Sequence, residues 1–202
     1  MSELFSLQGR VALVTGGSRG IGRMIAAGFL KQGARVYITA RKAAACDATA
    51  AELAPLGECI SMPGDVSTVA GAQELAAALA TREPALDILV NNAGAAWGEP
   101  FETFPEKGWD KVMDLNVKTP FFLTQALHGM LCKAGTVRTA KVINVASIDG
   151  VSVNPMETYS YAASKAGLIH LTKRMSLRLI QDNIAVSGIA PGAFASEMNK
   201  EA

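Results

Sequence analysis

The chain has 202 residues, half of them hydrophobic and 18% charged, which fits one domain (1–202) with its own core and excludes long disorder. Nineteen Lys and Arg against 18 Asp and Glu leave a net charge of +1, so no basic field marks a nucleic-acid or anionic-membrane partner. Cys46, Cys59 and Cys132 are odd in number and widely spaced, with no CxxC pair, which points away from disulfides and zinc and towards a reducing, cytoplasmic setting.

In chain order, residues 10–15 form a near-continuous apolar run stopped by glycine and read as a strand buried on both faces. Residues 20–32 carry Ile21, Ile25, Phe29 and Leu30 at helical spacing, with Gly33 as the C-terminal cap. Strands follow at 35–40 and 59–62, separated by an alanine-rich helix at 44–56. A helix at 69–81 leads to a fourth strand at 86–90. Residues 93–103 are a loop. Residues 106–131 are a long helical stretch expected to bend near Pro120, whose ring nitrogen has no donor to give. A strand at 141–145, a loop at 147–158, a helix at 159–180 and a sixth strand at 184–189 complete the alternation, before Pro191-Gly192 opens a last loop. Strands alternating with helices this long imply right-handed crossovers and a parallel sheet. The 34 alanines favour the close layering of helices on a sheet. No apolar run reaches the roughly 18 residues of a spanning helix, and residues 1–10 show no signal-peptide pattern.

Between the first strand and the first helix lies Thr15-Gly16-Gly17-Ser18-Arg19-Gly20-Ile21-Gly22. Gly16 permits a tight turn, Gly20 lets backbone approach a pyrophosphate, and Gly22 lets the helix pack on the strand. The helix N-terminus offers free N–H donors to phosphate. Further motifs occur in order, at strand ends or on adjoining helices: Asp65-Val66, Asn91-Asn92-Ala93-Gly94, Asn116, Ser147, Tyr161-Ala-Ala-Ser-Lys165 and Pro191-Gly192. With these motifs the chain strongly resembles the short-chain dehydrogenase/reductase family over its whole length. Within that family it looks most like the 3-oxoacyl-(acyl carrier protein) reductases, with the rhamnolipid-type β-ketoacyl reductases a close branch. The resemblance implies an α/β fold with a doubly wound, Rossmann-type parallel sheet in three αβα layers. It also implies that the chain stops before the family's C-terminal strand, with the closing loop over residues 193–198 present as a stub.

An acidic residue at the end of the second strand usually holds a ribose 2′-hydroxyl. Here that position is Ala40, followed by Arg41, with Arg19 as a second cation in the glycine turn. Two guanidinium groups suit a 2′-phosphate, so NADP(H) is the expected cofactor; the alternative for Arg41 is a solvated surface arginine. The resemblance places Asp65 at the adenine and Asn92 with Gly94 along the cofactor floor. It adds Ser18, Ile21, Val66, Ala93, Pro191 and Gly192 to the cofactor set.

Tyr161 and Lys165 are four apart and share a helix face. A nearby ammonium is expected to stabilise phenolate and lower the tyrosine pKa. Ser147, fourteen residues before Tyr161, can hydrogen-bond a substrate oxygen, and by resemblance Asn116 holds a water that links Lys165 to solvent. Tyr159 has Ala163 at i+4 and so no cation on its face. His128 and His170 lack ligating neighbours in the sequence, so they read as surface or packing residues and no metal site is expected. Trp97, Phe101 and Met156 are either pocket lining or loop packing.

The implied function is NADPH-dependent reduction of a carbonyl, 3-oxoacyl or another ketone, with Tyr161 as proton donor. The substrate is a small molecule or an acyl thioester. The alternatives are an NAD(P)-dependent alcohol or sugar dehydrogenase and a cofactor-binding regulator without turnover. Consecutive apolar residues such as Phe121-Phe122-Leu123 and Leu168-Ile169 on the two long helices predict a homodimer or homotetramer.

Overall fold

The computed structural model describes residues 3–192. Six strands, β1 (Val11–Thr15), β2 (Arg35–Thr39), β3 (Cys59–Ser61), β4 (Ile88–Asn91), β5 (Ala140–Val145) and β6 (Ile184–Ile189), form one parallel sheet in the order β3-β2-β1-β4-β5-β6. The helices are α1 (Gly20–Lys31), α2 (Ala43–Leu53), α3 (Val69–Ala80), α4 (Glu106–Met113), α5 (Thr119–Ala126), α6 (His128–Gly135) and α7 (Tyr159–Leu179). The period-2 alternation of a strand sends its apolar side chains to two separate cores. Leu13 of β1 joins Leu75 and Leu79 of α3, Leu123 of α5, Leu131 of α6 and Met175 of α7 on one face. Its neighbours Ala12 and Val14 join Ala26 and Leu30 of α1 and Cys46, Ala50 and Leu53 of α2 on the other. The result is the three-layer, doubly wound α/β arrangement, with six strands among the described residues.

The stretch 106–131 differs from its expectation. It is interrupted before Pro120, by a wide π-helical turn at Asp114–Lys118, and again at Leu127 (φ −91°, ψ 0°). Pro120 falls in the first turn of α5, where a missing N–H costs little, so the proline starts a helix rather than kinking one. The closing loop expected over residues 193–198 lies outside the described residues.

Strand order reverses between β1 and β4. This is the switch point at which open α/β sheets take their ligands, in the crevice past the carboxyl ends of the strands. Every motif singled out above leads into this edge.

Candidate active site

The floor of the crevice is stitched together by Thr15 and Asn92. The Thr15 hydroxyl accepts the backbone N–H groups of Asn92 (3.0 Å) and Ala93 (2.9 Å). The Asn92 amide donates to the carbonyls of Thr15 (2.9 Å) and Gly16 (3.2 Å). Gly16 itself turns with φ +64°, a conformation that favours glycine. A Cβ on Gly22 would overlap the Gly16 carbonyl and the Asn92 amide, so only glycine lets α1 come this close. Ser18 is held from behind, its carbonyl accepting the Thr49 hydroxyl of α2 at 2.9 Å. Arg19, the N-cap residue of α1, makes no side-chain capping bond. Gly20 and Ile21 open the helix, whose first N–H groups no capping side chain occupies. A glycine cradle under an uncapped helix N-terminus fits the pyrophosphate of a dinucleotide.

Arg41 is exposed just past β2 and acts electrostatically on Asp65 past β3. Burial pushes the Asp65 carboxyl up. The Ser67 backbone and hydroxyl donors and the Arg41 charge outweigh it and hold the group below its ordinary value. Val66 is buried, and its carbonyl accepts the Thr119 hydroxyl.

The reacting groups gather past β4 and β5. Asn116 sits inside the π-helical turn and is 1% exposed. Its amide donates to the Ala95 carbonyl and to Ser164 Oγ, both at 2.9 Å, and its oxygen accepts the Ala95 N–H at 2.9 Å. Ser164 passes the contact on by donating to the Tyr161 carbonyl (2.7 Å). Gly94 is pressed between Asn116 and Lys165. Ser147 follows β5, and the Pro191 carbonyl fixes the next residue by accepting the Ile148 N–H (2.9 Å). Gly192 follows in the open. The structure thus brings Asn116, Ser147, Tyr161 and Lys165 into one neighbourhood.

The charges there differ from the expectation. Burial drives the Lys165 pKa down to about 8, its ammonium donates to the Val145 carbonyl (2.8 Å), and it lies 5.5 Å from the centroid of the Tyr161 ring. Burial raises the Tyr161 phenol above its ordinary value, the hydrogen bond with Ser147 works against this, and the Asp149 carboxylate adds to the rise. An ammonium committed to a carbonyl and set over the ring does not offset the burial of the phenol. Tyr161 is therefore held protonated at neutral pH.

Tyr159 donates to Glu157 (3.1 Å) and packs edge-on against Phe101 and Phe104. Trp97 is loop packing, wedged against Gly108 with Lys111 over its ring. Phe101 and Met156 are exposed. His128 is not isolated, a correction to the reading above: Asp182 lies at 2.9 Å and Cys132 at 3.3 Å from its Nε2, and the three donor atoms lie within 4.8 Å of one another. Arg178 already holds the same Asp182 oxygen at 2.7 Å, which makes this a helix-end ion-pair network. His170 is exposed. Sequence reasoning missed Thr15, Ser164 and a buried amide chain behind the site: Asn91 donates to Asn144, and Asn144 to Thr172, each at 2.8 Å. Asn144 in the middle of an apolar strand was the available signal.

The profile of the family described as short chain dehydrogenase matches residues 10–202. A rhamnolipids biosynthesis 3-oxoacyl-[acyl-carrier-protein] reductase of Pseudomonas aeruginosa is 48% identical over 99% of this chain and 78% of its own length. A gluconate 5-dehydrogenase of Gluconobacter oxydans is 34% identical over 98% of this chain and 76% of its own. The solved Pseudomonas aeruginosa RhlG/NADP active-site complex matches at a TM-score of 0.97 and 48% identity, covering 100% of this chain and 79% of that one.

Proposed function

Because the chain belongs to the short chain dehydrogenase family, we propose that it reduces the 3-oxo group of an acyl thioester, with Tyr161 as the proton donor. It is an NADP-dependent oxidoreductase acting on a carbonyl. When bound, the reduced nicotinamide supplies the hydride. The glycine turn Gly16–Gly22 and the first turn of α1 hold its phosphates in our reading. Arg19 and Arg41 take the 2′-phosphate, Asp65 and Val66 border the adenine, Asn92 to Gly94 form the floor, and Pro191 and Gly192 close the far side.

Ser147 orients the substrate oxygen, and Tyr161 gives it a proton. The observation that carries the reading is the gathering of Tyr161 with Ser147, its hydrogen-bond partner, and with Lys165, whose ammonium lies 5.5 Å from the Tyr161 ring centroid. A phenol raised by burial is a weak acid, but the alkoxide formed on reduction is far more basic than phenolate, so proton transfer to it runs downhill. The 48% identity to a 3-oxoacyl-[acyl-carrier-protein] reductase, against 34% to a gluconate 5-dehydrogenase, supports a reductase over an alcohol or sugar dehydrogenase. Lys165 re-supplies the proton, and the Asn116–Ser164 contact holds that part of α7 in place.

We further propose a homodimer or homotetramer in the cytoplasm. Phe121 on α5 and Leu177 on α7 are exposed, whereas Leu168 is 1% exposed and belongs to the chain's own core. No described helix is long and apolar enough to cross a membrane. The test is NADPH oxidation with a panel of 3-oxoacyl thioesters, simple ketones and 5-ketogluconate. Turnover greatest on the thioesters is expected; turnover on sugar acids alone would replace this reading with the dehydrogenase one.

A further inference from the structure

Asp149 stands two residues past Ser147, on the short 3₁₀ turn Ile148–Gly150. That turn is seated on α7. A Cβ on Gly150 would lie 2.6 Å from the Lys165 carbonyl carbon and 2.7 Å from the Ala166 nitrogen, one helical turn past Tyr161. The Asp149 backbone N–H donates to Ser147 Oγ (3.2 Å), and its carboxylate accepts from Asn154 Nδ2 (2.7 Å). Asn154 is fixed in turn, its oxygen accepting the Met156 N–H (2.8 Å). The carboxylate is therefore held in place, and among the described residues no lysine or arginine forms an ion pair with it. Lys165, the nearby buried cation, donates to the Val145 carbonyl instead.

We propose that Asp149 selects substrate by charge: its fixed, unneutralised carboxylate beside Ser147 and Tyr161 turns away ketones that carry an anionic group next to the reacting carbonyl, and so admits esters and thioesters of 3-oxo acids over the free acids. The inference rests on the carbonyl-reducing role of Tyr161. The Asp149 backbone is bonded to Ser147 Oγ at 3.2 Å, so a substrate oxygen bonded to that hydroxyl brings the rest of the substrate close to the Asp149 carboxylate, which also acts on the Tyr161 phenol. A free 3-oxo acid then places a second negative charge several ångströms from Asp149. An ester or thioester places a neutral carbonyl there. Two like charges roughly 7 Å apart, in a medium between protein surface and water, disfavour the acid by about three- to tenfold.

The experiment compares acetoacetate with ethyl acetoacetate, using NADPH, the intact chain and its Asp149→Asn variant. Asparagine keeps the shape and still accepts from Asn154. The ester-to-acid ratio of kcat/KM is expected to fall three- to tenfold in the variant, with the ester value within about twofold of the parent. In the parent the same ratio shrinks as salt rises from about 20 mM to about 500 mM, because exposed charges are screened. An unchanged ratio, or an equal loss on both compounds, overturns the proposal and leaves Asp149 a turn-holding residue. Should the variant fail to fold, a ratio in the parent that ignores salt overturns it alone. Absence of turnover on long 3-oxoacyl thioesters, with the small pair behaving as expected, overturns the thioester function and spares the charge filter. A protein that reduces neither small compound overturns the charge filter as stated, and turnover on long 3-oxoacyl thioesters then still upholds the thioester function.

Discussion

Lys165 carries the site's chemistry against the interest of the fold. Its side chain is 5% exposed, and burial lowers its pKa from 10.5 to about 8. Between those values the unfolded chain binds a proton that the folded chain does not, so stability rises with pH across that window. Below about pH 8 both states are charged and the folded state bears the whole penalty, about 3 kcal/mol. Lys165→Met is therefore expected to stabilise the protein at pH 7 by up to about 3 kcal/mol in urea unfolding, with the gain fading from pH 8 to 10.5, while turnover is lost. A pH-independent difference would show that burial of charge is not its source. Tyr161→Phe keeps the ring's packing and removes only the hydroxyl. It is expected to lower kcat by about 10²–10⁴-fold and to leave NADPH binding, read by fluorescence titration, nearly intact. Arg41→Asp sets a second carboxylate near Asp65 and removes a partner for the 2′-phosphate. NADPH affinity is expected to weaken about tenfold or more while NADH gains relative to it, and equal titration curves for both cofactors would remove Arg41 from the site. These residues were legible because their spacing is local: four positions place Tyr161 and Lys165 on one face. The titration of Tyr161 was not legible, since it depends on whether the ammonium meets the hydroxyl or the ring, and on a carboxylate from another segment.

Among the elements, β4, β5 and α7 are tied together by Asn91, Asn144 and Thr172. Asn144 is 0% exposed inside an apolar strand, and a polar group buried there must find partners. It does so on both sides, accepting from Asn91 and donating to Thr172. Asn144→Ala strands the Asn91 donor and the Thr172 acceptor and is expected to cost about 1–3 kcal/mol for each group left unpaired, measured by urea unfolding. A loss below about 0.5 kcal/mol would mean that water or rearrangement satisfies them. The asparagine announces itself in Val142-Ile143-Asn144-Val145, but its partners lie 53 and 28 positions away, beyond any local pattern. The π-helical turn at Asp114–Lys118 was hidden for a related reason. The apolar spacing of residues 106–131 is helical throughout, and it does not reveal the wide turn or the second break at Leu127. Pro120 signalled an irregularity nearby, and the chain resolves it just upstream.

For the whole molecule, the sheet's composition and the position of its crevice followed from the alternation of strands and helices and from motifs that each fall at a strand end. The state of assembly does not follow in the same way, because an apolar helix face can be covered by its own chain, as Leu168 is. The homodimer or homotetramer is checked by light scattering at micromolar concentration, and a monomer mass throughout would rule it out. The strand order has a consequence for the chain as it is being made. β1 lies mid-sheet. Its neighbour β2 starts 24 positions on, where Val11 faces Arg35, but the carboxylate of Asp87 that accepts the Val11 N–H is 76 positions away. At translation speeds of roughly 5–20 residues per second, one flank of β1 waits about four to fifteen seconds after its own emergence for that partner to be polymerised. Through that interval the nascent chain presents an apolar strand edge that any extended segment could occupy, and the arrival of Asp87 at the head of β4 is what claims it.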